Sequence, residues 1–256
     1  MLNVKLDEVV IRRCLEELNL ELQYKRISKD DEEIILESAK CLAQTFAGVT
    51  VKGEKISEPM VQSVGMSAED FNEFVYAYMK NIVADGFCYA VLDKKQNKVI
   101  GAFISESYNP NEESLVFTDN LEPMNKICNV LDELDERLIN TIQEKTNKIV
   151  EEKQFVHMFM IGVKTDKLKK EISKDLIRIC IEDAKQKGYK GIFLEATNIK
   201  SQIIFSKYFG FDLVYDSNNQ HILTKYADTE HFKGISPDQS TDCRVLYKAF
   251  DEEYNI

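Results

Sequence analysis

The residues with chemical potential in this 256-residue chain gather in three stretches. The first is FVHMFMIGVKTDKLKKEISKDL, residues 155–176: His157 stands inside an apolar run, Gly162 near its end, and Lys164, Lys167, Lys169, Lys170 and Lys174 surround Glu171 just after it. A strand that turns into a helix is a common place to hold a phosphate, because the first helical amides point outward there. Lysine ammoniums can also bind a diphosphate as point charges, without a backbone cradle. This turn has no glycine, and each side chain forced to positive φ costs ~1–2 kcal/mol. Glu171 would also set a carboxylate beside the phosphates. The plainer alternative is that Asp166 caps one unbroken helix from Lys167 to Lys187, with the lysines as its wet face. The second stretch holds Glu58-Pro59, a loop carboxylate before a helical pattern, and the third holds Asn198 and Ser201 at a helix start.

Composition narrows the partners. The net charge of -11 argues against a nucleic-acid backbone and is compatible with a small cationic molecule. The six cysteines are far apart, without a CxxC pair or a cysteine–histidine cluster, so neither a zinc site nor a disulfide framework is expected, no metal is implied, and reduced thiols fit a cytoplasmic protein. No apolar run approaches the ~18 residues that cross a membrane, and the charged N-terminus MLNVKLDEVVIRRCLEEL reads as a short amphipathic helix rather than a secretory signal.

Hydrophobic periodicity supplies the elements. ELQYKRIS (21–28) reads as a first strand and IILESAKCLAQTF as a helix; residues 48–67 read as irregular. AEDFNEFVYAYMKNIVADG is a second helix, capped by Ser67 with Asp70 and ended by Gly86. FCYAVLDKKQNKVIGAFISESY is a hairpin. A long helix carries Ile127, Val130, Leu131, Leu134, Leu138 and Ile142; then follow the strand 155–163 and a helix with its face at Ile172, Leu176, Ile179, Cys180 and Ala184. Counting by two along the strand puts His157 on the same side as Val163. A glycine inside a strand predicts a bulge or a close backbone approach at Gly162. YKGIFLEAT, a short helix ending at Gly210, DLVYD and CRVLYKAF close an α/β domain over residues 1–256, with 1–19 as an N-terminal extension and 20–250 as the core.

The order from strand through turn and helix to GYKGIFLEATNIKSQIIFSKYFGF resembles the GCN5-related N-acetyltransferase (GNAT) superfamily, on Leu194-Glu195-Ala196-Thr197-Asn198, Ser201, Lys207 and Gly210-Phe211. Glu58-Pro59-Met60, followed by Gly65 and the helix AEDFNEFV, is similar to the arylalkylamine N-acetyltransferase-like branch of insects and nematodes. The resemblance implies a mixed, mostly antiparallel sheet whose central strands splay to admit acetyl-CoA, with flanking helices. It lays the family's glycine-containing turn on Leu168 to Ser173. As cofactor-binding residues it implies Ile161, Gly162, Val163, Lys169, Lys170, Ile172, Ser173, Lys174, Asn198 and Ser201.

Amine acetylation needs a base for the ammonium proton, a proton for the departing thiolate and a donor for the carbonyl oxygen. By resemblance Glu58 is the base of the insect branch, working through water, and His157 matches one of two histidines in the vertebrate enzymes. A core histidine and a surface glutamate are the structural alternatives. Ser201 is placed to meet the cofactor or the thiolate, or simply to satisfy the helix start. The tyrosine acid of many members is missing; Tyr208 is about one turn away. The implied function is an acetyl-CoA-dependent N-acetyltransferase for a small primary amine, arylalkylamine or polyamine-like, as a monomer or homodimer. The alternative is a degenerate relative that uses another acyl donor or acts as a binding or regulatory module.

Overall fold

The computed structural model describes residues 21–51, 54–112, 114–164 and 169–256. The N-terminal helix expected over 1–19, and Asp166, Lys167 and Leu168 of the lysine turn, lie outside them. In chain order the elements are β1 (Leu22–Arg26), α1 (Glu32–Phe46), β2 (Val49–Val51), β3 (Glu54–Ile56), α2 (Pro59–Ser63), α3 (Ala68–Ile82), β4 (Tyr89–Asp93) and β5 (Lys98–Ser107). There follow α4 (Met124–Thr146), β6 (Phe155–Val163), α5 (Lys169–Gln186), β7 (Gly191–Ala196), α6 (Ile199–Phe209), β8 (Asp212–Leu213), β9 (Leu223–Lys225) and β10 (Asp242–Ala249).

Eight strands form one sheet in the order β1-β4-β5-β6-β7-β10-β8, with β9 also on β10. Every pairing is antiparallel except β6 with β7, which run parallel over Phe155–His157 against Gly191–Phe193. Beyond His157 and Phe193 the two central strands have no register with each other, so the sheet splays there, as the resemblance implied. Apolar helix faces cover both sides. Ile35 and Leu42 of α1, Phe71 and Phe74 of α3, and Leu134 and Leu138 of α4 share one core cluster. Ile172, Leu176, Cys180 and Ala184 of α5 and Phe205 of α6 share the other.

Local signals account for the helix ends. Ser67 Oγ accepts from the Asp70 amide at 3.0 Å, and Gly86 takes φ +78 after a 3-10 turn at Val83–Asp85. The segment read as irregular contains β2, β3 and α2, elements of three to five residues and too short for a periodic signature.

Of the two expectations about β6, the shared face of His157 and Val163 is corrected, and the choice at Gly162 between a bulge and a close backbone approach falls to the approach. The bulge lies at Phe159, not Gly162: Ile104 faces Met160 while Ser105 faces Met158, leaving Phe159 as the extra residue, and Gly162 stays in register with Ala102. The inserted residue reverses the alternation. His157 therefore faces the α4 side and Val163 packs against α5 in the opposite cluster, so the two do not share a face. The glycine is explained by a close approach: a Cβ on Gly162 would overlap Thr45 Oγ1 and stand 3.1 Å from Leu42, both on α1.

Gly162→Ala is expected to cost about 1–3 kcal/mol by pushing α1 off the sheet. Thr45→Ala in the same chain should recover most of that loss in denaturant unfolding, a coupling that would be absent if Gly162 served only as a bulge.

Candidate active site

The splay leaves a cleft of about 110 Å³ whose lining includes Glu58, Phe159, Ile161, Glu195, Asn198 and Ser201. Glu58 reaches it as the N-cap of α2: Pro59 fixes the first helical residue, and the Val61 amide donates to Glu58 Oε2 at 2.6 Å. Its Oε1 is buried without a hydrogen-bond partner. Burial pushes this carboxyl above the ordinary carboxylate range, opposed by the Val61 amide, the Thr197 hydroxyl and the Met60 amide. A carboxylate raised in this way, with one oxygen uncommitted, can take a proton.

Across the cleft, Asn198 caps α6. Its Oδ1 accepts from the amides of Lys200 and Ser201, each at 3.0 Å. Ser201 Oγ donates to the Asn198 carbonyl at 2.8 Å, so its hydroxyl serves the helix start while lining the cleft.

His157 has a different setting from the free base considered in the sequence. Nδ1 lies 2.8 Å from Glu106 Oε1 of β5 and Nε2 lies 2.8 Å from Glu195 Oε2 of β7. Burial alone would lower its pKa, but Glu195 and Glu106 raise it well above the usual histidine value. The ring is an imidazolium donating from both nitrogens, with no lone pair for a substrate proton. Burial would likewise raise Glu195, yet the His157 charge and a hydrogen bond from Asp135 of α4 hold it below its ordinary value. Asp135 is raised well above its own, first by burial and then by Glu195, so it carries the proton of the pair. Asp135, His157 and Glu195 offer ligand-type atoms within 4.8 Å of one another, and the positive charge among them is the imidazolium.

Sequence reasoning missed Glu106, Asp135 and Glu195 as members of one cluster. Asp135 carried a readable signal: it sits beside Leu134 on the apolar stripe of Leu131, Leu138 and Ile142, where a carboxylate is out of place. Glu195 carries no local signal beyond its place in the Leu194–Asn198 stretch.

The remaining residues divide. Val163 and Ile172 belong to the core under α5, and Ser173 is buried. Lys170 and Lys174 place their ammoniums 4.9 and 4.3 Å from the centre of the Tyr208 ring, on the exposed surface between α5 and α6. Tyr208 thus belongs with the lysines. The residues laid on the family's glycine turn are helical from Lys169 on. Among the described residues none of Lys170, Glu171, Ile172 and Ser173 has positive φ, so the strain expected of side chains in a loop does not arise.

A second cavity of about 760 Å³ opens beside the cleft, lined by Tyr78, Glu106, Tyr108, Asp132, Asp135 and His157 among others. The bulged Phe159, with Phe74 and Leu131, walls both spaces.

Removing the imidazolium leaves the buried Glu195 and the half-buried Glu106 without their shared counter-charge, so His157→Gln is expected to cost about 3–5 kcal/mol in denaturant unfolding. The folded pKa of His157 is raised, so its stabilisation is complete below about pH 6.5 and is lost only as pH climbs through that higher folded value. Asp135 has a raised folded pKa too, and above about pH 4 the native chain bears the cost of keeping it protonated. Asp135→Asn keeps a donor to Glu195 without that cost, and should gain on the wild type as pH rises from 4 toward neutrality.

No protein-family model matches this sequence, and no curated protein matches it significantly. Solved structures do. Arylalkylamine N-acetyltransferase 2 from Aedes aegypti is 16% identical, with 90% of this chain and 100% of that chain covered and a TM-score of 0.62. The C-terminal condensation domain of Ebony, in complex with beta-alanyl-dopamine, is 14% identical over 90% and 99% of the two chains, with a TM-score of 0.60. The Drosophila melanogaster polyamine N-acetyltransferase is 12% identical over 90% and 100%, with a TM-score of 0.51. Identities this low speak for architecture alone. Among the described residues no helix is long and apolar enough to cross a membrane. The chain has the GCN5-related N-acetyltransferase fold, an open, mostly antiparallel sheet with flanking helices that it shares with arylalkylamine N-acetyltransferases.

Proposed function

We propose that this protein is an acetyl-CoA-dependent N-acetyltransferase that transfers the acetyl group directly to a small primary amine, arylalkylamine or polyamine-like, with Glu58 as the general base. The observation that carries this reading is the orphaned, buried Glu58 Oε1 on a cleft between splayed strands.

The residues present fit the acyl donor. Beyond His157 and Phe193 the inner edges of β6 and β7 have no strand partner, which leaves peptide groups around Ile161 and Gly162 to meet an amide-bearing chain and an acyl carbonyl. Lys170 and Lys174 supply positive charge for a diphosphate. Acetyl-CoA, when bound, supplies an acetyl group activated as a thioester. Glu58 takes the proton from the substrate ammonium, directly or through water, and the freed amine nitrogen bonds the acetyl carbon as the carbon–sulfur bond breaks. The Val61 amide fixes one Glu58 oxygen, so the other stays turned to the proton. Ser201 Oγ, a hydroxyl lining the cleft, can pass a proton to the departing thiolate and recover one from the nitrogen as the amide forms. His157, already protonated, positions Glu195 and the strand ends and takes no proton. Asn198 acts by setting the α6 start that carries Ser201.

The helical Lys170–Ser173 in place of a glycine turn, together with the likeness to the Ebony domain, favours one second reading: the same cleft serving another acyl donor.

Glu58→Gln keeps an acceptor for the Val61 amide and removes the base. Its kcat is expected to fall by about 10²-fold or more with the amine KM changed little. A base must be deprotonated, so the wild-type rate should fall as pH drops, with an inflection above the usual carboxylate value because burial raises Glu58. That limb should vanish in the variant. A Glu58→Gln enzyme with full rate and the same pH profile would remove Glu58 from the chemistry.

A further inference from the structure

We propose that the larger cavity beside the cleft is a second cation site, and that the preferred substrate is therefore a diamine or polyamine, with one nitrogen reacting near Glu58 and another held here. The inference rests on the transferase reading for the reacting nitrogen, but the cation site stands on its own observations.

Among the described residues six carboxylates line this cavity: Glu106, Glu112, Asp132, Glu133, Asp135 and Glu136. Among the described lining residues there is no lysine or arginine, and the positive charge there is His157, already held by Glu106 and Glu195. Asp132, Glu133 and Glu136 stand exposed along α4 and Glu112 on the loop opposite, so the mouth is negative. A concave wall of one sign concentrates counter-ions inside it. At the floor, Asp135 is 8% exposed, and its Oδ1 is buried without a hydrogen-bond partner. Glu112 is pushed up, first by burial and then by Glu106, Asp85 and Glu152, and burial pushes Asp132 up against the opposing Ser114 hydroxyl and His157 charge. An ammonium entering would meet an uncommitted oxygen and relieve repulsion among the acids around it.

The walls suit the linker between two such charges. Tyr78, Tyr108 and Phe117 present aromatic faces for methylenes and for a passing ammonium. The two spaces share Phe74, Leu131 and Phe159 as walls, and the cleft of about 110 Å³ holds only a few heavy atoms, so a longer amine would have to place its body in the cavity of about 760 Å³. An aryl group alone would use the walls and leave the carboxylates unanswered.

The test is titration calorimetry of the full chain with a series of α,ω-diaminoalkanes and the 1-aminoalkanes of matching length, in wild type and in Asp132→Asn/Glu112→Gln. The best diamine is expected to bind about tenfold or more tighter than its monoamine, and the double variant should lose about tenfold for the diamine but less than twofold for the monoamine. Equal affinities for the two series, or equal losses in the variant, would overturn the cation site. Acetyl-CoA titrated alongside separates the two ideas. Diamine preference without acetyl-CoA binding keeps the cation site and removes the transferase reading, whereas acetyl-CoA binding and turnover without diamine preference does the reverse.

Discussion

One buried imidazolium sits where two strands part, and the rest of the site depends on it. His157 donates to Glu106 on β5 and to Glu195 on β7, so one ring ties three neighbouring strands together at the last register position that β6 and β7 share. Opening a sheet exposes peptide groups that would otherwise be paired, and that exposure has to be confined. The charge clamp confines it: below His157 the sheet is closed, and above it the strands diverge into the cleft. An ion pair buried this deeply is retained at a desolvation cost, which suits a role in fixing geometry better than one in adding stability.

The same clamp assigns the chemistry by elimination. A histidine with both nitrogens donating has no lone pair to offer, whereas Glu58 has one oxygen tied to the Val61 amide and the other free in the cleft. Two acidic groups in neighbouring spaces thus differ through environment alone: Asp135 is protonated against Glu195, and Glu58 is raised by burial with no carboxylate partner. The Phe159 bulge contributes to this arrangement. By adding one residue it turns Gly162 toward α1, lets that helix lie close on the strand, and puts an aromatic ring between the cleft and the acidic cavity.

Much of the fold was legible in the residues because its signals are periodic and local. The strand 155–163, the Ser67 cap, and the left-handed glycines at Gly86 and Gly210 stand where the pattern put them. The LEATN stretch and Glu58-Pro59 carried the fold by resemblance. What stayed hidden were facts of phase and long-range pairing. A bulge leaves no mark in sequence when the extra residue is another apolar Phe, and it inverted the side assigned to His157. The partners of His157 come from residues 51 positions before it and 38 after, distances at which no local rule operates. The short α2, β2 and β3 fall below the length at which periodicity says anything. The lysine turn admits two readings in sequence, a phosphate turn without glycine and one unbroken helix with wet lysines, and the backbone is helical from Lys169 on, with no positive φ over Lys170–Ser173.

The most direct test of the account is calorimetric titration of acetyl-CoA into the full chain and into Lys170→Ala/Lys174→Ala. The account predicts a one-to-one complex with a micromolar dissociation constant that weakens by about tenfold or more when both lysines are removed. No detectable binding at millimolar acetyl-CoA would contradict it, and the cleft between β6 and β7 would then belong to another acyl donor.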